Sequence, residues 1–320
     1  MKTYLGIDLG SITCKFVLIN EKNEIIFSSY FRTEGNPILA IQKGLKELEN
    51  HIKNHNLNTE ICGVGTTGSA RYLAGVITGA DLIKNEITAH AKGATFFIPD
   101  VRTVVEIGGQ DSKIIILENG VVVDFAMNTL CAAGCGAFLD AQAFRLGIPI
   151  ERFGELALKS NNPTHISGRC TIFSESDMIH KQQIGHSTEN IIAGLCEALF
   201  RNYLNAVAKG KNIQPPIIFI GGVSENFGMR RALEKALKEK IIVPKYNLFL
   251  GAFGVALLVK EQIQEKSKFF GFEISDKNIK CTSFQCQGCP NLCEVIEARI
   301  EGKVISRWGD RCGKWSNLTT

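Results

Sequence analysis

Short apolar runs separated by glycine-containing turns dominate the start of the chain. Residues 4–9 and 14–20 predict two strands joined by a glycine turn, and the polar turn EKNE leads into a third strand over 25–31. The same order returns over residues 104–125, where EIGGQDSK separates two apolar runs and ENG is typical of a hairpin turn. The chain therefore repeats the strand pattern with which it begins.

The two copies are in register at an offset of 98 residues, and the matched pairs include Asp8 with Glu106, Gly10 with Gly108, and Lys15 with Lys113. Each copy has an acidic residue at the end of a buried strand and glycine in the turn that follows. Glycine lets backbone N–H groups approach phosphate oxygens, and the carboxylate can hold hydrated Mg²⁺. Two such hairpins predict two like halves that bind a nucleotide.

A third element supports this interpretation. Residues 215–238 predict an apolar strand, a Gly-Gly turn and an amphipathic helix. In nucleotide-binding α/β folds, purine and ribose lie against such a turn. The Gly- and Ala-containing stretch 246–258 predicts a helix that packs closely against another.

With these elements in this order, the chain resembles the actin, Hsp70 and sugar-kinase superfamily, which has no GxxxxGK[ST] loop. The resemblance implies an α/β fold with duplicated ribonuclease H-like halves and a nucleotide cleft, and ATP or ADP with Mg²⁺ as cofactors. The residues that it assigns to two phosphate loops and an adenosine-facing turn are Asp8, Gly10, Ser11, Thr13, Glu106, Gly108, Gly109, Gln110, Asp111, Gly221 and Gly222. Lys15, Gly134 and Gly136 complete the candidate cofactor-binding set.

Glu106, Gln110 and Asp111 are the candidate catalytic residues. By resemblance and position, Gln110 and Asp111 would sense the γ-phosphate or position the attacking water, and Glu106 would reach Mg²⁺. One alternative is that Gln110 and Asp111 only cap a turn. A wider alternative is that the glycines are turn residues of an α/β protein that binds no nucleotide.

The composition predicts a folded, cytoplasmic protein of two ordinary domains. The 320 residues are 45% hydrophobic and 21% charged. No apolar run approaches the roughly 20 residues that span a bilayer, and the first ten residues lack a signal-peptide pattern. The net charge of +4 comes from scattered lysines, so we expect neither nucleic acid nor a membrane as partner. Eleven cysteines then indicate thiols, metal ligands or catalytic groups rather than disulfides.

Cys131, in MNTLCAAGCGAFLD, and Cys170, in ISGRCTIFSESD, each precede a predicted helix start. A helix N-terminus favours negative charge, so both positions suit a thiolate or an anionic iron–sulfur cluster. A [4Fe–4S] cluster needs four cysteines. We therefore expect Cys131 and Cys170 from each of two chains to share one cluster on a two-fold axis. Cys135 is the alternative ligand.

These cysteine motifs, together with EIGGQDSK and GGVSEN, resemble the activators of 2-hydroxyacyl-CoA dehydratases and the ATPase subunits of benzoyl-CoA reductases. The resemblance covers about residues 3–260 and includes GVGTTGSARYL and NEITAHAKGA. It implies a homodimer with one bridging [4Fe–4S] cluster, in which ATP drives a low-potential electron into an iron–sulfur acyl-CoA dehydratase or reductase. A ferredoxin- or flavodoxin-like protein would be the electron donor.

Three residues depart from that family's pattern. Glu106 stands where the family usually has Asp, which lengthens the reach to Mg²⁺ and favours slower hydrolysis. Cys135 replaces a Thr and Ala137 replaces an Arg beside the cysteine loop. The hydrogen bonding around the cluster, and hence its potential, is therefore expected to differ, whereas the ligands are not.

Five cysteines lie within the last 40 residues of the chain. A segment this short is too small to build its own core, which predicts that a bound metal holds its fold together. The spacing C-x2-C-x3-C differs from the paired C-x2-C of a zinc ribbon, so a second iron–sulfur cluster is favoured over zinc, with a redox thiol set as a third option. The expected ligands are Cys286, Cys289, Cys293 and Cys312.

The expected organisation is an ATPase domain over 1–265 and a Cys-rich metal-binding segment over 266–320. Within the ATPase, the halves would cover about 1–92 and 93–250, with a returning helix over 251–265. Two other functions remain open. A small-molecule kinase of the same superfamily needs a substrate pocket and a general base. A regulatory ATPase with a zinc-binding tail predicts no iron at Cys131.

Overall fold

The computed structural model describes residues 1–128, 134–263 and 265–316. The chain divides into two units by its internal contacts. Residues Met1–Ala89 and the chain from Gly251 onward form the first unit, and residues His90–Leu250 form the second. Each unit has its own cluster of buried apolar side chains.

The elements follow one another in an α/β order. The first part of the chain contains β1 (Lys2–Leu9), β2 (Thr13–Asn20), β3 (Ile25–Arg32), α1 (Pro37–Asn54), β4 (Glu60–Thr67), α2 (Arg71–Thr78), β5 (Leu82–Ile83) and α3 (Glu86–Phe97). The middle part contains β6 (Thr103–Ile107), β7 (Ser112–Glu118), β8 (Val121–Asn128), α4 (Gly136–Arg145), α5 (Ile150–Leu158), α6 (Thr171–Gln183), α7 (Thr188–Ala206), β9 (Ile217–Ile220), α8 (Phe227–Leu237) and β10 (Ile241–Ile242). The last part contains α9 (Leu250–Gln262), β11 (Ile279–Gln285), β12 (Glu294–Ile300) and β13 (Lys303–Trp308).

The first unit is built on a five-stranded sheet in the order β3-β2-β1-β4-β5. β1 is antiparallel to β2 and parallel to β4, and its second half is buried, which explains the continuous apolar run. α9 packs directly on this sheet at two glycines. A Cβ on Gly6 would lie 1.9 Å from the Ala252 carbonyl oxygen, and one on Gly65 would lie 2.8 Å from that of Val255. Small residues therefore set how closely this helix approaches.

The second unit repeats this topology. Its sheet has the order β10-β9-β6-β7-β8, with β6 antiparallel to β7 and parallel to β9. The hairpin registers are equivalent, because Asp8 pairs with Lys15 in the first unit and Glu106 pairs with Lys113 in the second. The duplicated α/β fold predicted from the 98-residue repeat is confirmed. Across the described ranges, no helix has both the length and the apolarity needed to cross a bilayer.

The C-terminal segment forms a third sheet, in the order β11-β12-β13, and packs within the first unit. Ile274 and Ile279 belong to that unit's apolar cluster. Gln42 on α1 donates to the Lys277 carbonyl oxygen at 2.8 Å, and Lys46 pairs with Asp276 at 2.6 Å. The segment therefore shares the apolar cluster of the first unit, and the metal expected in it stays a prediction.

Candidate functional site

Asp8 and Lys15 face each other across the turn of the first hairpin. Lys15 Nζ lies 3.0 Å from Asp8 Oδ2, and the Asp8 side chain is buried. The Gly10 N–H donates to the Thr13 carbonyl oxygen at 2.9 Å, which closes the turn, and Ser11 is exposed. The structure thus brings the predicted residues of the first phosphate loop together around one buried carboxylate.

Two neighbouring residues on β4 and after it were missed by the sequence reasoning. Thr67 is the register partner of Asp8, and its hydroxyl is buried with no hydrogen-bond partner among the residues described. Gly68 has a φ of +94°, and a Cβ there would lie 2.6 Å from Asp8 Oδ1. The available signal was the TTG sequence at a strand end, where a left-handed glycine lets the chain pass against the carboxylate.

Glu106 is buried at the end of β6 and takes part in a three-residue charge cluster. Lys113 Nζ lies 2.9 Å from Glu106 Oε2 and 2.9 Å from Asp111 Oδ2. The Gly108 N–H donates to the Asp111 carbonyl oxygen at 3.0 Å, the equivalent of the closure in the first hairpin. Gln110 is exposed beside this turn. The second phosphate loop therefore has two carboxylates that share one ammonium group.

Gly221, after β9, lies directly against this cluster. Its φ is +86°, and a Cβ there would lie 2.5 Å from the Ile107 carbonyl oxygen and 2.9 Å from Glu106 Oε1. The next residues form a single 3₁₀ turn over Gly222–Glu225. The predicted adenosine-facing turn and the predicted second phosphate loop are therefore in contact within the second unit.

Asn247 holds the Gly221 turn in place, and the sequence reasoning did not identify it. It is buried, and its carbonyl oxygen accepts from the Gly221 N–H at 3.2 Å. Its side-chain amide donates to the Ser224 hydroxyl at 2.7 Å and also to the Glu225 carboxylate. The signal in the sequence is a lone amide within the otherwise apolar stretch before α9.

The start of α4 is hydrogen-bonded to the second phosphate loop. The Gly136 N–H donates to the Gly108 carbonyl oxygen, and the Ala137 N–H donates to that of Gly109, both at 2.8 Å. A Cβ on Gly136 would lie 3.0 Å from the Gly108 oxygen, so the close approach depends on glycine. The nucleotide contact proposed for Gly134 and Gly136 stays a prediction.

Cys170 caps α6 with an extended backbone, φ −152° and ψ 144°. Its side chain is partly exposed. The helix begins at Thr171, earlier than the SESD motif indicated. Ser174 lies inside it, where its hydroxyl donates to the Ser167 carbonyl oxygen at 2.5 Å and lies 3.0 Å from that of Cys170, instead of capping a new helix. The thiol is therefore at the helix N-terminus, where the dipole and the first-turn N–H groups stabilise negative charge.

Side chains of α7 hold the loop that carries Cys170. Asn202 Nδ2 donates to the Gly168 carbonyl oxygen at 2.7 Å, and the Arg201 guanidinium donates to that of Ile166. Both acceptors come just before the cysteine in the chain. The position of Cys170 is therefore set by the buried core helix rather than by the loop alone.

Cys135 has the same capping position on α4 as Cys170 has on α6. Its backbone is extended, with φ −138° and ψ 173°, and its side chain is buried. Cys131 lies outside the described residues. The assignment of Cys131 as a cluster ligand, with Cys135 as the alternative, therefore stays a prediction.

Cys286 and Cys293 lie opposite each other at the end of the β11–β12 hairpin. The Cys286 N–H donates to the Cys293 carbonyl oxygen at 2.8 Å, which continues the strand register. Cys286 Sγ accepts from the Trp315 indole N–H at 3.2 Å and from the Gly288 N–H at 3.4 Å. These two bonds, the indole bond first, lower the pKa of the Cys286 thiol.

The expected tail ligands share one end of the third sheet but do not converge. Cys289 and Cys312 are exposed, and Cys293 is partly buried. Within the part of the chain that the structure describes, no group of three or more His, Cys, Asp or Glu side chains is placed to hold a metal ion. This arrangement does not fit a bound metal without movement of the cysteine-bearing turns.

The fold and the two charged hairpins define the class of protein. Two sheets of equal topology, each with a buried carboxylate at a glycine turn, are the architecture of nucleotide-binding α/β proteins of the actin and sugar-kinase type. The chain belongs to the BadF/BadG/BcrA/BcrD ATPase family, whose family model matches residues 5–259.

Similar proteins include activators of acyl-CoA dehydratases. The chain is 36% identical over 256 residues to the (R)-2-hydroxyglutaryl-CoA dehydratase activating ATPase of Acidaminococcus fermentans. This alignment covers 79% of this chain and 95% of that protein. It is 32% identical over 265 residues to the 2-hydroxyisocaproyl-CoA dehydratase activator of Clostridioides difficile. That alignment covers 82% of this chain and 97% of the activator.

A solved structure of such an activator has the same fold. The activator of the 2-hydroxyisocaproyl-CoA dehydratase from Clostridium difficile, with bound ADPNP, aligns with a TM-score of 0.72 at 30% identity. The alignment covers 83% of this chain and 99% of that chain. The family resemblance and the fold class expected from the sequence are therefore confirmed.

Proposed function

We propose that this protein is an ATP-dependent activator that passes low-potential electrons to an iron–sulfur enzyme of the 2-hydroxyacyl-CoA dehydratase or benzoyl-CoA reductase type. Family membership supports the ATPase part, and the similar activators support the activator part. One structural observation supports a coupling between ATP hydrolysis and the activator function. The second phosphate loop is hydrogen-bonded to the first turn of α4, the helix that follows Cys131 and Cys135 in the sequence.

In this proposal, the glycine turn of each hairpin binds nucleotide phosphates. Asp8 and Glu106 are the buried carboxylates at the strand ends of their own units, and each is a proposed ligand of Mg²⁺, which neutralises phosphate charge when bound. Gln110 and Asp111 would orient the attacking water from the second loop. The ion pair between Asp111 and Lys113 supports this role, because it limits the orientations of the carboxylate.

The hydrogen bonds from Gly136 and Ala137 give the nucleotide a route to the cysteines. Any displacement of the Gly108–Gly109 carbonyl groups changes the position of the first turn of α4, since two 2.8 Å bonds connect them. A nucleotide shifts this equilibrium by the difference in its affinity for the two arrangements. ATP and ADP, which differ at the γ-phosphate, would therefore favour different positions of α4.

We further propose a homodimer with one [4Fe–4S] cluster on Cys131 and Cys170 of each chain. The cluster would supply a one-electron couple when bound. Cys170 fits such a ligand, because it is partly exposed and lies at the N-terminus of α6. The assignment of Cys131 rests on the sequence motif.

The proposed electron donor is a ferredoxin- or flavodoxin-like protein, and the proposed location is the cytoplasm. The eleven cysteines support this location, since a reducing compartment keeps them available as thiols and ligands. A partly exposed cluster would make the activity sensitive to oxygen, so the protein would work under anaerobic conditions.

Anaerobic purification with iron analysis, ATP hydrolysis and electron paramagnetic resonance tests the proposal. We expect the bridging cluster to contribute about two irons per chain, beyond any iron bound by the tail cysteines, and to give a [4Fe–4S] signal that changes with ATP. Cys170→Ala should lose these two irons and the ATP-dependent signal, and should keep ATP hydrolysis. The matched control is Cys62→Ala, at another partly buried cysteine, which should keep both.

A colourless full-length protein that hydrolyses ATP would contradict the electron-transfer proposal. The regulatory ATPase would then be the better explanation if hydrolysis needs no second substrate. Phosphate transfer to a hydroxyl compound would instead identify a small-molecule kinase.

We also propose that Cys286, Cys289, Cys293 and Cys312 bind a second iron–sulfur cluster or zinc. The two N–H donors on Cys286 support this, because such bonds stabilise a thiolate ligand. The exposed turns with Cys289 and Cys312 must close for all four thiols to meet. Iron and zinc should both be quantified in the full chain with Cys289→Ser, and Cys281→Ser serves as control. Unchanged metal content in Cys289→Ser would contradict the proposal.

A further inference from the structure

A buried lysine lies between the two carboxylates of the second phosphate loop. The Lys113 side chain is 2% exposed, and its ammonium group is 2.9 Å from both Glu106 Oε2 and Asp111 Oδ2. A lysine is rarely buried to this extent unless it is paired. The Lys113 Nζ group is therefore committed to the carboxylates of its own loop rather than exposed at the surface.

The surrounding structure fixes this geometry from several sides. Lys113 is the register partner of Glu106 across the β6–β7 hairpin. Its carbonyl oxygen accepts from the buried Tyr203 hydroxyl of α7 at 2.9 Å. The other Glu106 oxygen, Oε1, faces positions where a Cβ on Gly108 or Gly221 would lie within 3.1 Å. The carboxylate is thus held between the ammonium group and two glycine backbones.

The first hairpin provides an internal comparison. There the equivalent lysine, Lys15, pairs with Asp8 at 3.0 Å, and its side chain is 18% exposed. The position equivalent to Asp111 is Thr13, so the first copy has no carboxylate at that point. Only the second copy combines a more deeply buried lysine with two acidic residues, which indicates a specialised role for this loop.

We propose that Lys113 is a positioning residue for ATP hydrolysis, which acts by holding Asp111 and Glu106 in their reactive orientations. This inference rests on the proposed ATPase function. The ammonium group lies 2.9 Å from both carboxylates and fixes Asp111 Oδ2, so that Asp111 presents its other oxygen in one direction. A carboxylate with a fixed direction orients a water molecule with less loss of entropy on the way to the transition state.

Steady-state hydrolysis and nucleotide binding should be measured on Lys113→Met and Lys113→Arg. Lys113→Met keeps the aliphatic stem and removes the charge. We expect its kcat to fall by about 100-fold, whereas the dissociation constant of a fluorescent ATP analogue changes by less than about threefold. Lys113→Arg keeps the charge and both possible ion pairs, and should recover at least about tenfold of the lost kcat.

Two outcomes would overturn the inference while leaving the ATPase proposal intact. In one, Lys113→Met hydrolyses ATP at the unaltered rate. In the other, kcat is unchanged and the analogue binds much more weakly, which would make Lys113 a binding residue. If Lys113→Met does not fold, Lys113→Gln is measured in its place, because its neutral amide can donate to only one of the two carboxylates; its kcat should still fall with near-normal binding. An unaltered protein that hydrolyses no ATP would contradict the proposed function itself.

Discussion

At the scale of single residues, glycines determine how closely backbone segments approach the two buried carboxylates. Gly68 passes beside Asp8, and Gly221 passes beside Glu106. Both have positive φ, and in both cases a Cβ would meet a carboxylate oxygen and a carbonyl oxygen. The surroundings of each carboxylate therefore require a residue without a Cβ at these two positions, as well as the charged groups.

Gly221→Ala should lower the free energy of unfolding of the second unit by about 3 kcal/mol and abolish nucleotide binding, because the methyl group meets both oxygens and φ is strained. Denaturant unfolding and titration with an ATP analogue measure these effects. Gly210→Ala is the matched control, since it has a φ of +77° and open space around it. It should cost about 1 kcal/mol and leave binding unchanged. Equal losses in the two variants would contradict the steric argument.

Thr67→Val separates a ligand-binding role from a structural one. The Thr67 hydroxyl is buried without a partner in the described part of the chain, so replacing it by a methyl group should raise the free energy of unfolding by about 1 kcal/mol. If the hydroxyl binds the nucleotide, hydrolysis should fall by about tenfold at the same time. Paired measurements of stability and ATP hydrolysis test this.

Thr78→Val is the control for Thr67→Val, because the Thr78 hydroxyl donates to the Ala74 carbonyl oxygen at 2.8 Å. It should lose about 1 kcal/mol of stability and keep full hydrolysis. A stabilised Thr67→Val protein with normal hydrolysis would show that the hydroxyl has no part in the site.

At the scale of elements, the first turn of α4 connects the second phosphate loop to Cys135, which caps this helix. Ala137→Pro removes the N–H that donates to the Gly109 carbonyl oxygen, while the first turn of a helix tolerates proline. We expect ATP hydrolysis to remain and the effect of ATP on the cluster's resonance signal to diminish. Ala137→Ser keeps the N–H and should behave like the unaltered protein. A full ATP response in Ala137→Pro would exclude this route.

The pairing of β12 with β13 predicts a pH dependence of stability. Bonds from Arg307, and then from Arg299, hold the pKa of the Glu297 carboxyl below its usual value. A lowered folded-state pKa stabilises the fold above the unfolded-state pKa, and this stabilisation is lost as the pH falls through the folded-state value. Glu297→Gln should therefore be less stable than the unaltered protein near pH 7. Denaturant titrations at several pH values should show this difference shrinking below about pH 4.

At the scale of the whole molecule, the C-terminal segment is part of the first unit. A chain that ends at Lys266 loses Ile274 and Ile279 from the apolar cluster, which should cost about 3 kcal/mol or more. Calorimetry should show a lower melting temperature for the first unit and an unchanged one for the second. A truncated chain whose first unit melts normally would show that the segment adds no stability, and a metal would again be needed to explain its folding.

The hairpins, their duplication and the family could be predicted because they depend on local signals. Alternation of apolar residues sets the strand register, and glycine at a strand end sets the turn. The 98-residue offset predicted that the two hairpins are alike, and the pairing of Asp8 with Lys15 and of Glu106 with Lys113 agrees with it. The helix start at Cys170 was also predicted within a few residues. The ligand assignments and the catalytic roles within this framework stay predictions.

The sequence by itself determined the repeated α/β halves, the glycine turns with their carboxylates and the family of the chain. Each of these depends on short stretches of neighbouring residues. Only the tertiary structure decided that Gly221 lies against Glu106 and is held by Asn247, that the first turn of α4 is hydrogen-bonded to the second phosphate loop, and that the tail cysteines do not converge. These contacts join residues far apart in the chain. They depend on how buried surfaces pack and how buried polar groups find partners, which local patterns do not specify.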